Sequence, residues 1–427
     1  MKKTFMQILS AFIIIVIFSS LVASAEAPEI KSTNGILIDM QNSMVLYEKN
    51  SNAKIQPSGF TKIVSALVVL ENCKDLSEVI AASPETIAAC DFSFGNMGIL
   101  ANEELSAGDL LHGMLLYDAA EAAELLAGYT FGDYGKFINA MNEIALQAGA
   151  TDTVFTNAGG YFDENQYSTL SDIAKISVYA MKNTAFAEIV KKDMVEIAPT
   201  NKYRETRYLS NTNLFVGRAR SVDFYSKRVY GLKTANMKEQ GYGISVAFEN
   251  SMGNFIAVVS GAEGSTQAHN DIQTLRQYTA DGFVSVTISE KGEIIEEVLV
   301  PNGKTDHVLL KTADELSVRL PVDYDESKIY KMKSKSDTIK APIEINQPLG
   351  KLSVSYNGEE AGSVDLIAYN SVKRSPGKTV RLFIVAIFTS PFFYIPVILM
   401  VTLFVWLTFK EFSKRKKSRK RNSNNKY

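Results

Sequence analysis

The chain has 427 residues, 46% of them apolar, with two cysteines, three histidines and a formal net charge of −2. That length suits two folded domains, and the apolar content with few Gly and Pro excludes a low-complexity disordered chain. Two cysteines exclude a disulfide framework, and the scattered His112, His269 and His307 argue against a metal centre.

Met1-Lys2-Lys3 is followed by an apolar run through Ile13-Ile14-Ile15-Val16-Ile17-Phe18 and then by Ala23-Ser24-Ala25. A basic start, an apolar stretch and an A-x-A site predict a signal peptide over residues 1–25, or an uncleaved anchor; either one exports the residues after it. Gly35-Ile36-Leu37-Ile38-Asp39-Met40 and Ser43-Met44-Val45-Leu46-Tyr47-Glu48 flank Gln41-Asn42 and predict a hairpin. Apolar residues at three- and four-residue steps predict helices over 60–72, 107–129 and 134–148. Closing strands are expected at 243–248 and 255–260.

From about Asp281 to Tyr369 the helical period fades. Short runs such as Val284-Ser285-Val286-Thr287-Ile288, Val298-Leu299-Val300, Val308-Leu309-Leu310, Leu352-Ser353-Val354-Ser355-Tyr356 and Val364-Asp365-Leu366-Ile367 are separated by Gly, Asn and Asp. They predict a small β-sandwich. A linker over 371–381 leads to residues 382–409, which carry no charge. As a helix they would extend about 42 Å, enough to cross a membrane with tilt or with bends at Pro391 and Pro396. Residues 410–427 hold nine Lys/Arg and one acid, Glu411. Such a tail belongs on the cytoplasmic side and suits anionic lipid. It is short, poor in aromatics and abuts the span, so no nucleic-acid partner is expected. The signal carries +2 and the tail +8, which leaves −12 on residues 26–409. Cys73 and Cys90 both fall in the exported part, where a disulfide and two separate thiols are equally open.

Ile55-Gln56-Pro57-Ser58-Gly59-Phe60-Thr61-Lys62-Ile63 precedes an apolar helix. It stands with Leu46-Tyr47-Glu48-Lys49-Asn50, Leu110-Leu111-His112-Gly113-Met114-Leu115-Leu116, Phe155-Thr156-Asn157-Ala158-Gly159-Gly160, Tyr167-Ser168-Thr169-Leu170-Ser171-Asp172, Asn211-Thr212-Asn213 and Val229-Tyr230-Gly231-Leu232-Lys233-Thr234. Together these resemble the serine D-alanyl-D-alanine carboxypeptidases, the low-molecular-mass penicillin-binding proteins of peptidase family S11. The resemblance covers nearly the whole exported part. It implies an α/β (α+β) β-lactamase/transpeptidase-like domain at 26–278, a small all-β sandwich at 279–370 and one C-terminal transmembrane helix. It also implies a cell-wall protein outside the cytoplasmic membrane that works on peptidoglycan stem peptides with no metal or organic cofactor.

The family's chemistry uses three clusters. In Ser-x-x-Lys, the Ser attacks the D-Ala-D-Ala carbonyl and the Lys on the same helix face takes its proton. Ser-x-Asn relays protons and holds the substrate amide. Lys-Thr-Gly draws in the substrate carboxylate and leaves room for substrate backbone. Here the nucleophile position is Gly59 with Lys62 retained. The second cluster falls on Asp118-Ala119-Ala120, placing Asp118 at the second Ser and Ala120 at the Asn. The third falls on Lys233-Thr234-Ala235.

Ser58 is the weak alternative nucleophile. Moving back one helical residue turns a side chain by about 100° and shifts it about 1.5 Å, more than attack tolerates; an N-cap after Pro57 is its expected role. Thr61 points off the face. A buried Lys62 without its serine needs a partner, so Asp118 is expected to pair with Lys62 or Lys233. The leading reading is a catalytically impaired, membrane-tethered family member that binds stem peptide or a protein partner. The alternatives are an active serine carboxypeptidase using Ser58 or a rearranged site, and a structural or adhesion module.

Overall fold

The computed structural model describes residues 27–237, 240–336 and 339–423. The expected signal peptide, 1–25, and the last four residues of the tail lie outside them. The strands are β1 (Asn34–Asp39), β2 (Val45–Lys49), β3 (Val79–Ala81), β4 (Glu104–Ser106), β5 (Met194–Ile197), β6 (Arg207–Ser210), β7 (Val229–Met237), β8 (Gly241–Asn250), β9 (Gly253–Ala262), β10 (Phe283–Ser289), β11 (Ile294–Leu299), β12 (His307–Thr312), β13 (Leu316–Pro321), β14 (Ile329–Lys335), β15 (Pro348–Tyr356) and β16 (Glu359–Ala368). The helices are α1 (Thr61–Asn72), α2 (Pro84–Ala89), α3 (Ala107–Leu116), α4 (Ala120–Thr130), α5 (Tyr134–Gln147), α6 (Leu170–Met181), α7 (Thr184–Val190), α8 (Ser265–Asp281), α9 (Pro376–Thr389) and α10 (Pro391–Ser423).

The chain divides into two compact units, and the larger takes in the described residues through Val286 with Ser317–Tyr330 and Val354–Gly362. Its main sheet runs β2-β1-β9-β8-β7, with β7 at one edge. The predicted hairpin is β1 with β2, paired antiparallel. All six residues of β1 are buried, as a strand covered on both faces requires. Helix α1 lies at the centre of the helical layer, packed on α3, α4, α5 and α6. Its Ile63, Val64, Ala66, Leu67, Val68 and Val69 are wholly buried, and each larger side chain contributes about 1.5–3 kcal/mol by leaving water.

The expected helix over 107–129 is two helices, α3 and α4, broken at Tyr117-Asp118-Ala119. The Ala-rich sequence favours continuation, but Asp118 takes φ +69, a left-handed conformation that ends a helix and that Asp tolerates better than most residues. Cys73 and Cys90 are free thiols.

The smaller unit holds Thr287–Leu316, Lys331–Ser353 and the chain from Ser363 onward. The β-rich half forms a five-stranded sheet, β11-β12-β16-β15-β14, and a two-stranded β10-β13 sheet. Inward positions alternate along β12 (Val308, Leu310, Thr312) and β16 (Val364, Leu366, Ala368), the two-residue period of a half-buried strand. Strands β13 and β14 were not among the expected runs. The apolar stretch 382–409, expected as one span, falls on α9 and α10 with a break at Ser390. A residue before proline is pushed out of the helical region, and Pro391 then suits the first turn of the next helix. Within α10, Tyr394–Lys414 is long and apolar enough to cross a membrane.

Candidate active site

Three segments of the larger unit bring the expected residues together. The first is the turn ahead of α1. Ser58, Gly59 and Phe60 form one 3-10 turn, all buried, that runs into α1. Ser58 has φ +44, and its Oγ donates to the Asn236 carbonyl at 3.2 Å. It does not cap α1: that position is taken by Phe60, and no side chain caps the helix. The expected N-cap role is therefore corrected, because the left-handed backbone turns the hydroxyl toward the end of β7. Thr61 Oγ1 is buried and has no hydrogen-bond partner among the described residues.

Gly59 leaves no room for a side chain. A Cβ at this position would collide with the Thr234 carbonyl oxygen and come within 3.0 Å of Ala235 Cα. Both are backbone atoms, so the clash cannot be relieved by a rotamer change. Ala235 is wholly buried and Thr234 nearly so, and the 3-10 turn packs directly on β7.

The second segment is the α3–α4 turn with Asp118. Lys62 Nζ donates to Asp118 Oδ1 at 2.9 Å. Lys233 Nζ approaches the same oxygen at 2.8 Å, an ion pair that lies outside hydrogen-bond alignment. The pairing expected for Asp118 is thus made with both lysines at once. The lysine side chains are 1% and 0% exposed, whereas Asp118 is 18% exposed, so the acid covers the lysine pair on the solvent side. Burial alone would raise the Asp118 carboxyl, but the charges of Lys233 and Lys62 outweigh it and hold it below its ordinary range. Burial pulls Lys233 down to about 8, against the opposing pull of Asp118. Ala120 is buried and offers no side-chain polar group; its N–H donates to the Gly95 carbonyl at 2.8 Å.

The third segment is β7, carrying Lys233-Thr234-Ala235. Thr234 shares a 2.7 Å hydroxyl hydrogen bond with Thr212, whose N–H donates to Leu116 O at the end of α3. The ladder to β8 is irregular between Gly231 and Lys233.

Several residues around the site were not singled out from the sequence. Gly95 lies over Asp118: a Cβ there would meet Asp118 O at 2.7 Å and Oδ2 at 2.9 Å. Glu121 accepts from Met97 N at 2.7 Å, which ties down the 95–97 loop. Glu124 accepts from Gly159 N at 2.7 Å, which ties down the loop whose Gly160 packs on the Ser58 carbonyl. Burial raises both carboxyls above their ordinary range. The run Glu121-Ala122-Ala123-Glu124 puts both acids on one face by its three-residue step, the one signal in the sequence that could have pointed to them.

Residues 21–264, more than half the chain, match the D-alanyl-D-alanine carboxypeptidase family model, and residues 283–374 match the penicillin-binding protein 5 C-terminal domain. The chain is 24% identical over 349 residues to D-alanyl-D-alanine carboxypeptidase DacF of Bacillus subtilis, covering 81% of this chain and 87% of the relative. Among solved structures, penicillin binding protein 5 of Haemophilus influenzae superposes with a TM-score of 0.65 at 22% identity, covering 81% of this chain and 99% of that one. A peptidoglycan synthesis regulatory factor (PBP3) of Streptococcus pneumoniae gives 0.66 at 20% identity, covering 81% and 100%. With a transpeptidase-like domain, a β-sheet C-terminal domain and the family model matched over residues 21–264, the chain belongs to the D-alanyl-D-alanine carboxypeptidase family.

Proposed function

We propose that this family member is catalytically silent and acts at the cell wall by binding. The observation that carries this reading is the closure at Gly59. A nucleophile there would have to occupy the space of the Thr234 carbonyl. Covalent catalysis on this scaffold needs a serine hydroxyl presented to the retained lysine. Gly59 has none, and the Ser58 hydroxyl is engaged with Asn236 O. Lys62 and Lys233, the groups that would take a proton and draw in a carboxylate, are engaged by Asp118. The methyl of Ala235 and its burial oppose an extended peptide laid along β7, so stem-peptide affinity is weak and a protein partner is the stronger candidate.

The protein is tethered by Tyr394–Lys414, with the folded units outside the cytoplasmic membrane and the basic tail inside. The length and apolarity of that stretch support this, and the Lys/Arg excess after it sets the orientation. The division of the exported chain into a peptidase-like part, 26–278, and a sandwich, 279–370, is part of the same reading.

The test is turnover. Full-length protein in detergent is incubated with a synthetic stem pentapeptide ending in D-Ala-D-Ala, and free D-Ala is measured. No release above buffer is expected. Release that disappears in Ser58→Ala would overturn the reading in favour of an active carboxypeptidase.

A further inference from the structure

Asp118 is held in a way that a surface acid is not. Its carboxylate is met by two ammonium groups on one oxygen, at 2.9 and 2.8 Å. Those ammonium groups come from two elements far apart in sequence, α1 and β7, and both are buried. Its backbone is left-handed at φ +69, uncommon for a non-glycine residue though one that Asp tolerates better than most. The 95–97 loop closes over it, with Gly95 leaving space for its Oδ2 and Cβ. Two ammonium groups meet one carboxylate oxygen there, the buried Glu121 and half-buried Glu124 carboxyls also bear on Lys62, and Lys233 Nζ has no aligned hydrogen-bond partner among the described residues.

We propose that Asp118 is a built-in carboxylate ligand, filling an anion site formed by Lys62 and Lys233 that takes a small monocarboxylate once the Asp118 side chain is removed. The site's own occupant identifies the ligand class. Lys62 supplies the aligned hydrogen bond and Lys233 the second charge; Asp118, the more exposed member, covers both. In the native chain the tethered carboxylate outcompetes any free one, because it is already positioned and loses little freedom on binding. The inference rests on the closed cleft proposed above. The two fail separately: D-Ala release would overturn that reading, whereas the experiment below reads only the anion site.

The test is chemical rescue. Asp118→Gly suits the left-handed backbone and deletes a group that acetate can replace; Asp118→Ala deletes a carboxylate that formate can replace. The full-length chain in detergent is followed by thermal unfolding. D118G is expected to melt below the native chain by roughly 5–10 °C, as a buried lysine pair stripped of its directly bonded counter-ion implies. Acetate at about tenfold its dissociation constant should return roughly 3–5 °C, and sodium chloride at equal ionic strength should not. Formate should act likewise on D118A. D118N, which fills the same space without charge, and the native chain should show no carboxylate-specific gain. D118G combined with Lys233→Met should lose the acetate response. A D118G midpoint no higher in acetate than in chloride, with no formate effect on D118A, overturns the proposal. So does failure of both variants to fold when the carboxylate is supplied.

Discussion

Glu103 and Arg207 form a second buried ion cluster in the same unit, and its construction differs from that of the lysine–aspartate cluster. Arg207 Nη1 donates to Glu103 Oε1 at 2.6 Å and Nη2 to Oε2 at 3.0 Å. Thr200 Oγ1 and Leu100 N complete the carboxylate at 2.7 and 2.9 Å. Arg207 Nη2 also reaches Gly98 O at 3.1 Å, and the guanidinium lies 4.0 Å over the Tyr203 ring. One cation meets one anion and the lone pairs are used, the geometry that lets a buried pair offset its desolvation. Around Asp118, two cations share one oxygen and the acid's backbone is left-handed; among the described residues one ammonium lacks an aligned hydrogen bond and the Thr61 hydroxyl has no partner. The first cluster ties β6 to the loop before β4. The second leaves its groups less completely partnered among the described residues. Two buried ion clusters in one unit thus differ in how completely their partners are matched.

The comparison is most strongly tested by breaking the matched pair. Glu103→Ala leaves an uncompensated buried guanidinium and should lower stability by about 3–5 kcal/mol, read from the denaturant midpoint at fixed m. A loss under about 1 kcal/mol would show that Glu103–Arg207 is no better built than the other cluster. Gly59→Ser should lower stability by about 1–3 kcal/mol through overpacking against the β7 backbone. It should give no D-Ala release, because Ala120 and Ala235 still lack the family's groups; restored turnover in this single variant would mean the closure is easily relieved. The smallest effect is alkaline. Lys233 titrates near 8 in the fold and near 10.4 when unfolded. Between those values the unfolded chain holds a proton that the folded chain has released, so stability rises with pH. The gain should be about 1 kcal/mol from pH 8 to pH 9, absent in Lys233→Met. A native chain and variant with parallel pH profiles would place Lys233 outside the coupled cluster.

How much of this was legible in the sequence depended on range. The β1–β2 hairpin, the apolar helix after Lys62 and the β8 and β9 strands come from local period, since each buries a face that the sequence alone declares. The break at Asp118 was not readable as a break: the Ala- and Glu-rich run after it favours helix strongly enough to mask the poorer helix propensity of Tyr117 and Asp118, and tertiary contacts with Lys62 and Lys233 accompany the left-handed turn. Strand β14, Ile329–Lys335, alternates Lys331, Lys333 and Lys335 with Tyr330, Met332 and Ser334 but is mostly exposed on both faces, so it lacks the buried apolar face that marks a strand. The expectation of Asp118 at the family's second serine position, beside Lys62, was enough to anticipate ion pairing. Its sharing between two lysines, and the contact of Gly59 with the Thr234 carbonyl, depend on how α1 and β7 approach, which no local pattern encodes.

The central claim is that no nucleophile is presented at the lysine pair. It is tested most directly by intact-mass spectrometry of the full-length protein after incubation with a labelled penicillin, which acylates a serine activated in this family's manner. An unchanged mass is expected. A stoichiometric mass increase mapping to Ser58 would contradict it.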